Sequence, residues 1–167
     1  MRDALPSQET GKIRLVAMSD DDYQAYLTRA VQNYADELSR ANDLTPEEAR
    51  SQAEASFRRL LPDGHPRQED QHLFTVVDEA ERRVGMVWFG IRRERKRPYA
   101  YIWDIYLEPD TRGKGYGEQV MRLVEDRVRA LGHSHIALNV FGHNLHARRL
   151  YERLGFQATA ISMGKDL

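Results

Sequence analysis

The sequence predicts an α+β protein whose mixed, mostly antiparallel β-sheet is flanked by helices. Two N-terminal stretches, within residues 23–60, repeat apolar side chains at three- and four-residue steps, which is the period of an amphipathic helix. Residues 72–107 then carry three short runs of β-branched and aromatic residues separated by charged turns, the pattern of antiparallel strands. A glycine-rich segment joins the last of these runs to a third amphipathic helix.

The N-terminal elements have clear start signals. Residues 12–18 alternate as a first strand, and the Ser-Asp-Asp-Asp cluster that follows supplies an N-cap and negative charge for a helix to about Arg40. Residues 41–44 are expected to form a loop. Thr45-Pro46-Glu47-Glu48 reads as a capping box with proline at the first helical position, so a second helix should end before Pro62.

The remaining elements follow in order along the chain. Strands are predicted at residues 72–77, 84–91 and 99–107, with the basic run at residues 92–98 as a hairpin turn. Gly132 and Gly155 are predicted to end two helices in the C-terminal part. The last elements expected are a strand at 136–140, a helix at 144–154 and a final strand at 156–163.

Composition narrows the class of protein. The chain has 167 residues, enough for one domain with a sizeable core, and we expect a tail at residues 1–11 followed by a single domain at 12–167. It has no cysteine, which excludes disulfides, thiolate metal sites and a covalent cysteine nucleophile. A formal charge of −1 disfavours nucleic-acid binding, and neither a bilayer-spanning apolar run nor a signal peptide is evident, so a cytoplasmic location is expected.

The near-zero net charge hides an asymmetry. Residues 1–80 carry a formal charge of −7, whereas residues 81–167 carry +6. Either surface charge has segregated by chance, or an anionic ligand binds the C-terminal half and a cationic one the N-terminal half.

The glycine-rich segment has the features of a phosphate-binding loop. Glycines at positions 113, 115 and 117 lead directly into a helix, whose first backbone N–H groups are free and lie at the positive end of its dipole. Arg112 and Lys114 add positive charge, which favours this interpretation over a purely structural turn. The dinucleotide pattern G-x-G-x-x-G fails at Glu118, and the loop G-x-x-x-x-G-K-[ST] does not match.

At these residues the sequence resembles the GNAT family of N-acetyltransferases. The family signature [RQ]-x-x-G-x-[GA] after a strand is matched by Arg112, Gly115 and Gly117, and LNVFGHNLHARRLYERLGF from Leu138 to Phe156 resembles its second cofactor segment. The resemblance implies a twisted sheet with splayed central strands and acetyl-CoA as co-substrate. It also implies a set of cofactor-binding residues: Ile105, Tyr106 and Leu107 along the pantetheine arm, Arg112, Gly113, Lys114, Gly115, Tyr116 and Gly117 around the diphosphate, and Asn144, Ala147 and Tyr151 in the second segment.

The resemblance also implies candidate catalytic residues. Tyr151 matches the tyrosine that usually serves as general acid, although the spacing alone also suits a core aromatic residue. Asp104 is the candidate general base or an orienting residue, and Glu108 is a weaker candidate. A backbone N–H near Leu107 could stabilise the oxyanion. No metal site is expected, because the histidines at 143 and 146 have no third ligand at a fixed spacing.

The resulting expectation is an enzyme that transfers an acetyl group from acetyl-CoA to a primary amine in a ternary complex. The alternatives are a catalytically silent acyl-CoA-binding regulatory domain and, less favoured, a nucleotide-binding protein. The acceptor could be a polyamine, an antibiotic, an amino acid or a protein amine. A cationic amine is favoured by carboxylates around residues 41–45, and a homodimer is compatible with the resemblance. These carboxylates are Asp36, Glu37, Asp43, Glu47 and Glu48.

Overall fold

The computed structural model describes residues 8–10, 12–94, 96–165 and 167. The described strands are β1 (Gln8–Thr10), β2 (Ile13–Ala17), β3 (Arg67–Gln68), β4 (Gln71–Asp78), β5 (Arg83–Arg92), β6 (Tyr99–Leu107) and β7 (Ile136–Leu138). The described helices are α1 (Asp20–Asn42), α2 (Pro46–Leu60), α3 (Tyr116–Ala130) and α4 (Leu145–Arg153), with a short 3₁₀ turn at Pro109–Thr111.

The strands form one mixed sheet in the order β1-β2-β4-β5-β6-β7, with β3 paired to β4. Every described pairing is antiparallel except that of β6 with β7, which is parallel. The α+β class and the mostly antiparallel sheet are therefore confirmed. Residues Gln8–Thr10, predicted to belong to an N-terminal tail, pair with β2. Residues 1–7 and 11 of that predicted tail lie outside the described residues.

The helix starts follow the predicted capping chemistry. Ser19 caps α1 by accepting a hydrogen bond from the Asp22 N–H, and Thr45 and Glu48 form the reciprocal capping box of α2. Helix α1 extends to Asn42, slightly beyond the predicted end. No described helix is long and apolar enough to cross a bilayer.

The helices cover opposite faces of the sheet. Helix α1 packs its buried tyrosines on one face with Trp88 of β5, and α2 packs along α1. Helix α3 buries Val120, Leu123 and Val124 on the other face, where Tyr151 of α4 joins the same core. Leu123 is fully buried, so truncating it to alanine should cost about 2–5 kcal/mol of folding free energy.

A β-bulge at Trp103 interrupts the alternation of β6. Trp88 pairs with Asp104 and the next residue, Phe89, pairs with Ile102, which leaves Trp103 as the extra residue. Gly90 makes room for it, because a Cβ at that position would lie 2.6 Å from Trp103 Nε1. After the bulge, Asp104 shares the face of its partner Trp88, which packs against α1.

The strands β6 and β7 diverge soon after they meet. Strand β7 pairs only with residues Ala100, Tyr101 and Ile102, so the rest of β6 has no strand on that side among the described residues. This confirms the splayed central strands. The predicted final strand at 156–163 is wrong: the segment is not in a strand, and Ile161 and Met163 are exposed. The alternating residues of this segment have too short a strand to pair with, because the edge strand β7 is only three residues long.

Candidate active site

The open edge of β6 exposes backbone groups where the sheet splits. The Glu108 N–H bonds to Val84 O on β5 at 3.0 Å, so the alternation of an antiparallel ladder turns the backbone groups of Leu107 and Ile105 the other way, toward the gap. Tyr106, between them, directs its side chain to the α1 face. Two of the three residues predicted to follow a pantetheine arm thus present unpaired strand edge.

Asp104 lies beside this gap with an altered acidity. Burial raises the pKa of its carboxyl from 3.8 to about 6, while the Tyr26 hydroxyl, the Arg29 guanidinium and the Ile105 N–H each oppose the rise. Asp104 as a whole residue is partly exposed at the protein surface. Its carboxyl group is nevertheless surrounded by protein atoms, and this burial shields the carboxyl from water. A carboxyl with this pKa is mostly ionised at neutral pH and is a competent proton acceptor.

Tyr151 approaches the same gap from α4. Its ring is buried and packs near Phe156, with the ring centroids 5.7 Å apart. Burial, followed by the negative charge of Asp104, raises the pKa of Tyr151 to about 12. The phenol therefore stays protonated at neutral pH and can donate a proton. The structure thus brings the two candidate catalytic side chains within electrostatic range of each other, from opposite faces of the sheet.

The glycine loop leaves the start of α3 without a cap. Gly113 and Gly115 have positive φ values of 74° and 78°, which glycine adopts without strain. Gly115 is the N-cap residue and no side chain of the described residues caps this helix, whereas side chains cap α1, α2 and α4. The first N–H groups of α3 are therefore available to an anion, with Lys114 exposed beside them. Tyr116 is already the first helical residue.

Arg112 folds back onto the strand that precedes the loop. Its Nε donates to Leu107 O at 3.1 Å, and its guanidinium lies 5.7 Å from the Tyr106 ring centroid. The side chain therefore covers one of the backbone acceptors at the open edge of β6.

The second predicted cofactor segment packs closely on the first. Asn144 caps α4, because its Oδ1 accepts from the Ala147 N–H at 3.1 Å. Gly117 permits the close approach of α3 and α4, since a Cβ there would lie 3.1 Å from Leu150 Cδ2. Asn144 and Ala147 are thus engaged with each other at the start of the helix that carries Tyr151.

Sequence patterns did not reveal the contribution of α1 to this site. Tyr26 is buried beside Asp104, and Arg29 lies over the Tyr106 ring at 3.8 Å from its centroid. Arg29 also pairs with Glu108 at 3.7 Å, so Glu108 is already held by a cation. Tyr26 carries no motif. Its position in the helical stripe was the only signal, and that signal indicated core packing.

A contact joins α1 to the residues just before α4. His143, predicted to lie at a solvated helix start, contacts the Glu37 carboxylate and stacks on Phe141. The described residues contain no cluster of three or more His, Asp or Glu side chains arranged to hold a metal ion.

Aromatic side chains next to the bulge hold a cation. Tyr101 and Trp103 pack with ring centroids 4.5 Å apart, and the Arg92 guanidinium lies 5.0 and 5.6 Å from their centroids. This surface lies on the face of the sheet covered by α1, beside Asp104 in the chain. The arginine of the protein itself therefore occupies this aromatic surface.

The acidic residues predicted to surround the acceptor differ in their engagement. Asp36 accepts a hydrogen bond from Gln32, and Glu48 belongs to the α2 capping box, where Thr45 lowers its pKa. Asp43 ends α1 in the left-handed conformation. Glu47 lines a shallow surface depression at the start of α2 together with Leu44.

A mixed sheet whose strands β6 and β7 splay apart, followed by a glycine loop that leads into a helix, defines the acetyltransferase class of fold. The chain belongs to the acetyltransferase (GNAT) family, whose model matches residues 31–156.

Individual relatives agree with this membership. The N-acetyltransferase YycN of Bacillus subtilis is 34% identical over 155 residues, which cover 93% of this chain and 99% of the relative. Its crystal structure superposes with a TM-score of 0.86 at 34% identity, covering 93% of this chain and 98% of that one. The spermine/spermidine N(1)-acetyltransferase of Bacillus subtilis is 29% identical over 79 residues, 44% of this chain and 52% of the relative.

Proposed function

We propose that this chain transfers the acetyl group of acetyl-CoA to the primary amine of a small cationic acceptor, by direct attack in a ternary complex. Residues 12–167 form the catalytic domain in this proposal. The observation that carries it is the placement of Asp104 and Tyr151 on opposite sides of the gap between β6 and β7.

The donor site is assigned to the gap and the uncapped helix. The free N–H groups at the start of α3, with Lys114 and Arg112, suit a diphosphate. The edge of β6 at Ile105 and Leu107, which no described strand pairs, suits the amides of a pantetheine arm, which would pair with it as a further strand would once Arg112 leaves Leu107 O. These two features lie in sequence along one path, from the open edge of β6 to the loop.

The chemistry divides between the two side chains. The amine must lose a proton to become nucleophilic, and Asp104 accepts it directly or through water. The nitrogen then attacks the thioester carbonyl carbon, the C–S bond breaks, and Tyr151 donates its proton to the departing thiolate sulfur. The second proton of the amine nitrogen passes to the Tyr151 phenolate and restores the phenol. A backbone N–H at the open edge of β6 near Leu107 stabilises the oxyanion. Because the chain has no cysteine, an acyl-cysteine intermediate is excluded.

Carboxylates near the start of α2 and the name of one relative support a cationic acceptor. Asp43 is the C-cap residue of α1, Glu47 and Glu48 lie in the first turn of α2, and one of the relatives acetylates spermine and spermidine by its name. We therefore assign the acceptor to the class of aliphatic polyamines and similar amines.

The test is release of free CoA thiol from acetyl-CoA with a panel of amines. The panel contains spermidine, an aminoglycoside, free lysine and a neutral diol as control, with mass spectrometry to confirm the acetylated amine. We expect turnover with spermidine and intersecting double-reciprocal plots, as direct transfer requires. CoA binding without thiol release in any pairing would instead identify a silent binding domain.

A further inference from the structure

Helix α1 buries two tyrosine hydroxyls in the core between itself and the sheet. Tyr23 and Tyr26 are 1% and 3% exposed, and neither hydroxyl makes a hydrogen bond of ordinary geometry among the described residues. Buried hydroxyls are normally bonded, so each unpaired one needs a reason.

The two hydroxyls differ in what they face. Tyr26 packs with Trp88, whose partner across the sheet is Asp104 on the same face. Its hydroxyl therefore lies against the Asp104 carboxyl in a long hydrogen bond, and the two groups alter each other's pKa. Tyr23 faces Tyr26, and burial alone raises its pKa. Hydrogen bonds to catalytic groups are often long in unliganded proteins and shorten when substrate binds.

We propose that Tyr26 is a positioning residue for Asp104: its hydroxyl donates a hydrogen bond to the carboxylate that is long in the free protein and that shortens, orienting the carboxylate, when the acceptor amine arrives. This rests on the proposed role of Asp104 as general base. The other groups that face this carboxyl are Arg29 of α1, the Ile105 N–H of β6 and Tyr151 of α4. Arg29 is already engaged by Glu108 and the Tyr106 ring, whereas no hydrogen bond of ordinary geometry draws the Tyr26 hydroxyl away from Asp104 among the described residues.

The experiment compares Tyr26→Phe with Tyr23→Phe. Both changes delete one buried, unpaired hydroxyl from the same helix, so both variants should fold and keep their thermal stability. The first readout needs no catalysis: the carboxyl ¹³C shift of Asp104 is titrated in the free protein and assigned by its loss in Asp104→Asn. The second readout is the pH dependence of kcat/KM for spermidine.

Tyr26→Phe should raise the apparent pKa of Asp104 by about one unit, because the carboxylate loses a hydrogen-bond donor. The acidic limb of kcat/KM should move by the same amount. The rate then falls about fivefold near pH 6 and less than about twofold near pH 8, with KM for acetyl-CoA unchanged. Tyr23→Phe should move neither readout.

An unchanged Asp104 titration in Tyr26→Phe, or an equal shift in Tyr23→Phe, would overturn the proposal. A shifted titration with an unshifted rate profile would support the role of Tyr26 and overturn the assignment of Asp104 as base. The two inferences therefore fail separately.

Discussion

Replacing Asp104 by asparagine should stabilise the protein while removing its proton acceptor. Burial raises the pKa of this carboxyl from 3.8 to about 6, so its ionised form is destabilised in the folded state. Each pKa unit corresponds to about 1.4 kcal/mol, which gives about 3 kcal/mol for the full shift. Because the side chain is partly exposed, we take about 2 kcal/mol as the expected gain for Asp104→Asn at pH 8.

The pH dependence gives the sign of this effect. The folded state holds its proton more tightly than the unfolded state, so the penalty is absent below pH 3.8, grows up to about pH 6 and is constant above. The advantage of the asparagine variant in denaturant unfolding should therefore shrink by about half between pH 8 and pH 5. A variant no more stable than the wild type at pH 8, or a gain independent of pH, would refute the assigned burial of this charge.

Activity separates Asp104 from its neighbour. Loss of a general base typically lowers the rate by about a hundredfold to ten-thousandfold, and we expect this for Asp104→Asn. Glu108→Gln is the matched control: its carboxylate pairs with Arg29 at 3.7 Å, so we expect a loss of at most about 1 kcal/mol in stability and no such loss of rate. If the Glu108 variant is the inactive one, the base has been assigned to the wrong carboxylate.

Three further predictions concern the donor, the proton donor and the acceptor. Gly115→Ala should weaken acetyl-CoA binding in calorimetry. The control is Gly132→Ala, because Gly132 also has a positive φ and open space around it. Both variants should lose about 1 kcal/mol of stability, but Gly132→Ala should keep the wild-type affinity for acetyl-CoA. If the two variants bind acetyl-CoA with equal affinity, the glycine loop does not bind the donor. Tyr151→Phe should lower kcat by at least about a hundredfold with acetyl-CoA affinity retained, and a loss below about threefold would leave it a core aromatic. Combining Asp43→Asn with Glu47→Gln should flatten the salt dependence of kcat/KM for the best amine, whereas an unchanged slope would refute acidic steering.

The local elements were predictable because their signals are local. The capping box at Thr45 and the aromatic run of β6 coincide with a helix start and a strand in the structure. The positive φ of Gly132 fits its predicted place after α3. The wrong prediction of a strand at 156–163 shows the limit of local signals. Alternating residues show that a segment can form a strand, but the segment pairs only where a neighbouring strand offers an edge of sufficient length.

The candidate site was only partly predictable. The family motif locates Asp104 and Tyr151 along the chain. Their mutual approach depends on the divergence of β6 and β7, which is set by packing between distant segments. Strict alternation would also place Asp104 on the face opposite Trp103. The bulge instead places Asp104 on the same face as Trp103, and no residue type in β6 predicts a bulge there. Tyr26 was indistinguishable from core because its role comes from what it faces.

The bond between Arg112 and Leu107 has a consequence for which donors the protein accepts. In the free protein Arg112 occupies the carbonyl that the proposed pantetheine arm would use. A diphosphate on the loop would draw the guanidinium away, and the same movement would uncover that carbonyl. Binding of the diphosphate would thus free the strand edge for the pantetheine arm. A truncated thioester without the diphosphate meets an occupied strand edge and must displace a hydrogen bond of about 1 kcal/mol by itself. Under the proposed function, Arg112 makes donor selection depend on both the diphosphate and the pantetheine arm of the donor.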